Sequence, residues 1–267
     1  MTGPRRALLL GAALLCLCGA SAQARKRSPG GGGGAEGAPT TPQASRVGLL
    51  APDTELVDAP TAAVQDQSGF SSRTRFFARG GVLEWLSFGV FPGINLGASL
   101  HVDSLIGTDS PVRLTRPDLQ VRWRFYDGDR RIPAFAVGFD GQGYFYNRTD
   151  KRYNQRQRGL YVVGTQEVGL PGLQAHAGMN ISDFDSNSIF GSLGTSLNIR
   201  DKVKIMLEWD SINNFYDSRI NTGLRIYLTP YFSMDFAVRG VGQGGFFSNG
   251  VPRDPERVVQ FKYCGTF

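Results

Sequence analysis

Cysteine, histidine and long apolar runs are scarce in this chain. Its 267 residues include three cysteines and two histidines. Cys16 and Cys18 lie close to the N-terminus, so Cys264 stands alone if that region is removed, and one cysteine cannot form an intrachain disulfide. The apolar run from Ala7 to Cys18 is shorter than the roughly 18 to 20 residues that a membrane-spanning helix needs. Disulfide-stabilised and helical membrane folds are therefore not expected.

The N-terminus has the features of a secretory signal. Arg5 and Arg6 precede the apolar run, and small residues follow it. We expect a signal peptide over residues 1–24, cleaved after Ala22 or Ala24. The alternative is lipidation of one of the two N-terminal cysteines, Cys16 or Cys18, although each of them follows a leucine where a small residue is expected.

A segment poor in large apolar side chains follows the signal. Residues 25–45 read RKRSPGGGGGAEGAPTTPQAS and have too little apolar surface to offset the entropy of ordering. Residues 49–62 carry apolar side chains and prolines without a clear period, and are able to dock as an extended segment. We predict a disordered or extended periplasmic segment over residues 25–65 and a single folded domain over residues 66–267.

The positive charge does not indicate nucleic acid. The formal net charge is +6 and the isoelectric point is about 9.4, but the basic residues are scattered through strand-like segments rather than gathered in a stripe. An exported chain also does not meet DNA in the normal course. We expect no nucleic-acid partner.

From about residue 70 onward, apolar and polar residues alternate with a period of two, which is typical of β-strands with one buried face. In one segment Ile94, Leu96 and Leu100 alternate with polar or small residues, and in another Ile205 and Leu207 do so. A helical period of 3.6 residues fits this stretch less well than the period of two.

The connections between these segments alternate between short and long. Short turns are expected at residues 92–93, 127–129, 169–172, 200–201 and 229–230, and longer polar loops at residues 103–115, 147–155, 183–188, 213–218 and 242–255. This alternation indicates an up-and-down meander whose ends face different compartments. Eleven strands are clear, and a poorly patterned one near residues 71–79 makes twelve. We place the strand count between ten and twelve.

The fold class that we predict is all-β, a transmembrane up-and-down antiparallel β-barrel of about twelve strands. A soluble sandwich has the same period, but a membrane barrel turns its apolar face to lipid and its polar face to a lumen. The residues that we expect to line the lumen are Arg122, Arg124, His176, Glu208, Asp210, Arg225, Asp235 and Arg239. Trp85, Trp123 and Trp209 are expected at the boundary between lipid headgroups and acyl chains.

The chain ends on a strand, RVVQFKYCGTF, whose apolar face persists to the final residue. In a membrane barrel the last strand pairs with the first, and lipid covers its apolar face. The stretch also resembles the closing strand by which outer-membrane barrels are recognised by their assembly machinery. We assign this signal to Val259, Phe261, Tyr263 and Phe267, and Gly265 departs from the bulky residue usual at that position.

Four motifs carry a resemblance to a known family. They are LVDAPTA at residues 56–62, LEWLSFGVFPGINLGAS at 83–99, PAFAVGFDGQGYF at 133–145 and NTGLRIYLT at 221–229. With these motifs the chain from about residue 56 resembles the YjbH-like outer-membrane barrel proteins, a group linked by name to exopolysaccharide production. The resemblance implies a bacterial outer-membrane location and a polysaccharide partner, and assigns no catalytic residue.

Enzyme chemistry has little support. His176 shares a polar face with Asn180 and Ser182, but residues six apart on a strand are separated by about 20 Å, too far for a serine–histidine pair. A serine from a neighbouring strand leaves a lipase-like hydrolase as the alternative function. We predict a non-enzymatic envelope protein with a structural or small-solute channel role, without cofactor or metal. Its expected partners are outer-membrane lipid, lipopolysaccharide and the barrel-assembly machinery.

Overall fold

The computed structural model describes residues 50–107, 111–148, 150–182, 189–213, 218–246 and 252–267. The predicted signal peptide, most of the predicted tether and the predicted loop at residues 183–188 lie outside these ranges. Within them, no helix is long and apolar enough to cross a membrane.

The described residues form fifteen β-strands and a short 3-10 turn at Ala78–Gly80. The strands are β1 Gly69–Phe77, β2 Gly81–Phe91, β3 Ile94–Asp103, β4 Arg113–Leu114, β5 Asp118–Tyr126, β6 Ala134–Asp140, β7 Tyr144–Asn147, β8 Arg152–Gln155, β9 Gly159–Glu167, β10 Leu173–Ile181, β11 Ile189–Ile199, β12 Val203–Asp210, β13 Arg219–Tyr227, β14 Phe232–Val241 and β15 Glu256–Thr266.

Twelve of these strands close into one antiparallel barrel, in the order β1, β2, β3, β5, β6, β9, β10, β11, β12, β13, β14 and β15. The last strand returns to the first, with Gly69 opposite Thr266 and Phe76 opposite Val259. Closure pairs the backbone of every strand on both sides, which hydrocarbon requires because no water can satisfy an open edge. The predicted fold class and strand count are confirmed.

The two ends of the barrel differ as the turn pattern predicted. Short turns and the two chain ends of the barrel lie at one end, and the long connections lie at the other, apart from the 3-10 turn that joins β1 to β2. One long connection contains the hairpin of β7 and β8. Outer-membrane barrels place short turns in the periplasm and long loops outside, so we call these ends periplasmic and extracellular.

Side-chain direction follows the period of two around the barrel. Outward positions carry exposed apolar residues, including Leu86, Leu96, Leu119, Val121, Leu160, Met179, Leu193, Ile205, Leu207, Leu224 and Phe236. Inward positions carry buried polar and charged residues. This reverses the arrangement of a soluble protein and fits a barrel surrounded by lipid.

The tryptophan prediction is wrong for one residue. Trp123 and Trp209 point outward and are about half exposed, at 51% and 47%, but Trp85 points into the lumen and is 5% exposed. The guanidinium of Arg73 lies 3.7 Å from the centroid of the Trp85 ring. The odd-numbered residues of β2 face inward, so the ring packs beneath an arginine instead of reaching the lipid boundary.

The segment before β1 differs from the sequence-based expectation. Residues 25–65 were predicted as a disordered or extended periplasmic segment, yet residues 51–67 form a hairpin inside the barrel, which we call the plug. Leu56, Val57 and Ala59 at its tip are at most 3% exposed. The physical reason is that the lumen wall offers polar partners for the backbone and carboxylates of this segment.

Replacing Leu207 with arginine tests the assignment of the outer face. Leu207 lies in the middle of β12 and is 49% exposed, so Leu207→Arg is expected to lower the free energy of unfolding in lipid vesicles by about 2–4 kcal/mol. Leu170→Arg, in an exposed turn between β9 and β10, is the matched control, for which we expect little change. Equal effects in a urea titration would contradict a lipid-facing Leu207.

Candidate functional site

The plug enters and leaves the lumen at the periplasmic end. The Ala51 N–H donates to the Pro230 carbonyl in the β13–β14 turn, 3.1 Å away. The hairpin closes on itself through the Leu56 N–H to the Ala59 carbonyl (2.9 Å) and the Thr61 N–H to the Thr54 carbonyl (3.0 Å). Residues 56–59 are therefore the tip, and the chain returns to the periplasmic end before β1 begins.

The tip is held by one carboxylate on the wall. Glu208 on β12 accepts the backbone N–H groups of Val57, Asp58 and Ala59, at 2.9–3.2 Å from the nearest oxygens. It also accepts a hydrogen bond from the Asn221 side chain. Three adjacent N–H groups around one carboxylate satisfy donors that burial would otherwise leave unpaired.

Asp58 links the tip to two arginines. One carboxylate oxygen lies 2.6 Å from Arg75 on β1, and the other lies 2.7 Å from Arg239 on β14. Arg75 also donates to the Val57 carbonyl at 2.5 Å. Burial alone would raise the pKa of Asp58, but the two guanidinium groups more than offset it and hold the pKa below its ordinary value.

Asp53 makes a second anchor, nearer the periplasmic end. Its carboxylate lies 2.6 Å from Arg225 and 2.5 Å from Lys204, and Lys262 lies 3.8 Å away. The Tyr227 hydroxyl donates to the same carboxylate. Burial would raise the pKa of Asp53, but these cations hold it below the ordinary value. A third plug carboxylate, that of Glu55, pairs with Arg73.

Two glycines in the wall make room for the plug. A side chain at Gly194 would bring its Cβ to 2.5 Å from a methyl carbon of Leu56, and one at Gly223 would come within 2.9 Å of a methyl carbon of Val57. The tip thus combines apolar packing against a fitted wall with the charged contacts described above.

All eight residues predicted to line the lumen lie on inward positions. Glu208, Asp210, Arg225, Asp235 and Arg239 are at most 4% exposed. Asp210 pairs with Arg158 and Arg219, and Asp235 pairs with Arg225.

The other three lie elsewhere on the inner face. Arg122 donates to the Thr54 and Ala63 carbonyls of the plug at 2.7 and 3.2 Å. Arg124 lies at the periplasmic rim, 2.7 Å from Asp127.

His176 lies in a buried polar layer. Its Nδ1 lies 3.0 Å from the Thr165 hydroxyl and its Nε2 lies 3.2 Å from the Ser196 hydroxyl on the neighbouring strand. Thr165 also accepts the Ala62 N–H of the plug, and Ser196 is 1% exposed. His176 and Thr165 therefore belong to the wall that contacts the plug. In a catalytic triad, a carboxylate or amide would lie next to Nδ1 of the histidine, whereas here Nδ1 lies next to a hydroxyl.

Sequence reasoning missed several residues that hold the plug. They are Asp53, Glu55 and Asp58 on the plug, and Arg73, Arg75, Lys204 and Lys262 on the wall. Arg73 and Arg75 lie on the poorly patterned strand β1, and Lys262 lies opposite the aromatic face of β15. Strict parity along β15 would have placed Lys262 inward, whereas the plug carboxylates gave no periodic signal.

The residues assigned to the assembly signal lie on the outer side of β15 and its end. Val259 and Phe261 are partly exposed, and Tyr263 and Phe267 are exposed at 44% and 78%. The Phe70 ring contacts both of the last two, with centroid distances of 6.0 and 6.3 Å. Recognition by an assembly machinery stays a prediction.

A cavity lies above the plug, toward the extracellular end. It has a volume of about 70 Å³, and its lining includes Asp58, Arg75, Tyr144, Arg158 and Arg219. Its floor is the plug tip, because Arg158 donates to the Asp58 carbonyl at 3.3 Å. The plug thus lies between this vestibule and the periplasmic end.

Solved structures similar to this chain are porins and a barrel domain. The KdgM porin is 10% identical with a TM-score of 0.47, covering 73% of this chain and 98% of that one. The NanC porin is 12% identical with a TM-score of 0.38, covering 74% and 99%. The N-terminal β-barrel domain of Pseudomonas aeruginosa OprF is 10% identical with a TM-score of 0.25, covering 75% and 100%.

No family model and no curated protein matches the chain, so the YjbH-like resemblance stays a prediction. The chain folds as a closed transmembrane β-barrel. That assignment follows from the closed twelve-stranded barrel, its apolar outer face and its charged interior.

Acid is expected to release the plug. Since the pKa values of Asp53 and Asp58 are held well below the ordinary 3.8, their contribution to docking is complete above about pH 5, weakens as pH falls below 3.8, and is lost only as pH falls through the lowered values. Pepsin should therefore cleave residues 51–67 faster at pH 2.5 than at pH 4.5, relative to an unstructured peptide of the same sequence, while the barrel stays folded. Mass spectrometry of the fragments measures this. Equal cleavage at both pH values would contradict the carboxylate anchors.

Proposed function

We propose that this protein is a gated outer-membrane channel for anionic solutes, and that the plug is its gate. The observation that carries the proposal is the charge match between plug and wall. Three plug carboxylates contact six basic side chains of the wall, namely Arg73, Arg75, Lys204, Arg225, Arg239 and Lys262.

Withdrawal of the plug would leave this wall with a surplus of positive charge. Of the six basic residues, Arg225 keeps Asp235 and Arg239 keeps Glu256 as wall partners. A lumen with a net surplus of one sign of charge attracts solutes of the opposite sign, and low-dielectric surroundings strengthen the effect. The acidic plug therefore occupies the place that an anionic solute would take.

The plug is joined to the lumen by contacts that can be exchanged for a solute. Its charged contacts are ion pairs and hydrogen bonds, and both ends of the hairpin lie at the periplasmic end. A non-enzymatic role fits this arrangement, because the histidine–serine contact described above lies in the wall beside the plug, where Thr165 accepts the Ala62 N–H.

The YjbH-like resemblance supports a link to exopolysaccharide production or export. Its first motif, residues 56–62, is the plug tip together with the returning strand. An acidic polysaccharide would meet the same basic wall as a smaller anion. A passive structural role, with a lumen that never opens, is the competing account.

Planar-bilayer conductance tests the proposal. In the double variant Asp53→Asn and Asp58→Asn, five of the six wall cations lose their plug carboxylate and only Arg73 keeps its partner Glu55, at a cost of about 3–5 kcal/mol for a buried pair. We expect the open probability to rise at least about tenfold, with a reversal potential in a KCl gradient that shows preference for chloride.

Asp129→Asn, in an exposed periplasmic turn, is the matched control and should behave as the unaltered protein does. A double variant that stays closed, although it migrates as a folded barrel on an unheated gel, would support the structural role. Preference for potassium would contradict the anionic solute.

A further inference from the structure

A second cavity lies in the lumen beside the plug. It has a volume of about 30 Å³ and lies between the first arm of the plug and the inner faces of β1, β2, β3, β5 and β6. Its lining includes Thr54 and Glu55 on the plug and Ser71, Asn95 and Gln120 on the wall. We call it the side cavity. One water molecule needs about 10–15 Å³, so the side cavity has room for about two.

A row of small residues leaves this space open. Ser71 on β1 lies directly opposite Ser87 on β2, and Ser87 lies directly opposite Gly97 on β3. All three line the side cavity. On the other side of the lumen, the long side chains of Lys204 and Arg225 extend from the wall to the plug. Plug and wall are therefore in contact there, whereas a gap lies between the plug and the small row.

Two buried polar atoms on the lining of the side cavity have no hydrogen-bond partner among the described residues. They are Nε1 of Trp85 and Oδ1 of Asn95, and the two residues are 5% and 4% exposed. Trp85 lies opposite Ser99, four residues from Asn95 along β3, so the two atoms lie at different depths in the barrel. Because buried donors and acceptors need partners and water supplies them in polar cavities, the side cavity is a hydrated space.

The side cavity adjoins the vestibule above the plug. Four residues line both spaces, namely Glu55, Arg73, Trp85 and Asp140. At this boundary the Glu55 carboxylate pairs with Arg73, and the Arg73 guanidinium lies on the Trp85 ring, 3.7 Å from its centroid. The Glu55–Arg73 ion pair therefore lies between the vestibule and the side cavity.

We propose that water and small monovalent ions cross the plugged barrel through the vestibule and the side cavity, with the Glu55–Arg73 pair as the constriction. The side cavity reaches Ser71 and Asn95, which are the third residue of β1 and the second residue of β3, close to the periplasmic end. Its polar lining replaces part of the hydration shell of an ion, and its small volume excludes larger solutes. This route goes beyond the proposed gate, because it needs no withdrawal of the plug.

A disulfide that locks the plug in place separates this route from the gate. A Cβ at Gly223 would lie 2.9 Å from a methyl carbon of Val57, so cysteines at both positions are within disulfide reach. In a background with Cys264→Ser, we expect oxidised Val57→Cys with Gly223→Cys, the locked protein, to keep a small steady conductance in planar bilayers. The larger openings of the reduced protein should disappear.

The two proposals fail in different ways in this experiment. A locked protein that is folded on an unheated gel but conducts no more than the bare bilayer would overturn the side route. A reduced protein that shows the same small conductance and no larger openings would contradict the gate, and it would support the side route.

Filling the side cavity tests where the small current passes. In the locked protein, Ser87→Phe should lower the conductance at least about fivefold, because the ring occupies the side cavity. Leu86→Phe is the matched control, since this neighbouring residue points outward and is 45% exposed, and it should leave the conductance unchanged. Equal conductance in the two variants would show that the current does not pass through the side cavity.

Shortening a side chain of the ion pair tests the constriction. Glu55→Ala in the locked protein should raise the conductance at least about threefold, because it removes one of the two charged side chains between the vestibule and the side cavity. Asp129→Ala, in the exposed periplasmic turn, is the control and should have no effect. A conductance that Glu55→Ala does not change would contradict the role of the pair.

Discussion

The basic side chains that line the barrel need counter-charges, and the plug supplies three of them. Bulk water cannot solvate a guanidinium group that is buried in a narrow barrel. Such a group must therefore be paired with a carboxylate, because an unpaired buried charge would destabilise the plugged barrel. Arg225 lies between Asp53 and Asp235, and Arg239 lies between Asp58 and Glu256. Each of these two arginines is therefore neutralised by one carboxylate of the wall and one of the plug. The plug carboxylates must lie next to these arginines, and this fixes the position of the plug.

The same constraint connects the fold to its function. A closed barrel removes every strand edge, and its period of two sends the polar side chains to the lumen whether or not a solute is present. Filling that lumen with a segment of the chain itself stabilises the closed form. In the channel that we propose, the same segment is the gate, and its contacts are exchanged for those of a solute with similar charge. Plug and vestibule are in this sense two parts of one site.

Periodicity predicted much of the barrel because parity decides which face a residue occupies. Ile205 and Leu207 were assigned outward, and Glu208 and Arg225 inward, from the pattern alone. Strand β1 was hard to recognise because Ser72 and Thr74 make its outer face polar, while Arg73 and Arg75 make its inner face charged. Trp85 was misplaced because an aromatic residue suits the lipid boundary and a cation-lined lumen equally well.

The plug could not be predicted from sequence periodicity. It has no period, and its contacts are distant in sequence, as Val57 and Glu208 are 151 residues apart. Hydrogen–deuterium exchange of the protein in lipid tests its place most directly. We predict that the amides of Val57, Asp58 and Ala59 exchange as slowly as those of the barrel strands, because Glu208 holds them. Exchange at the rate of an unstructured chain, with the barrel strands protected, would contradict a plugged lumen.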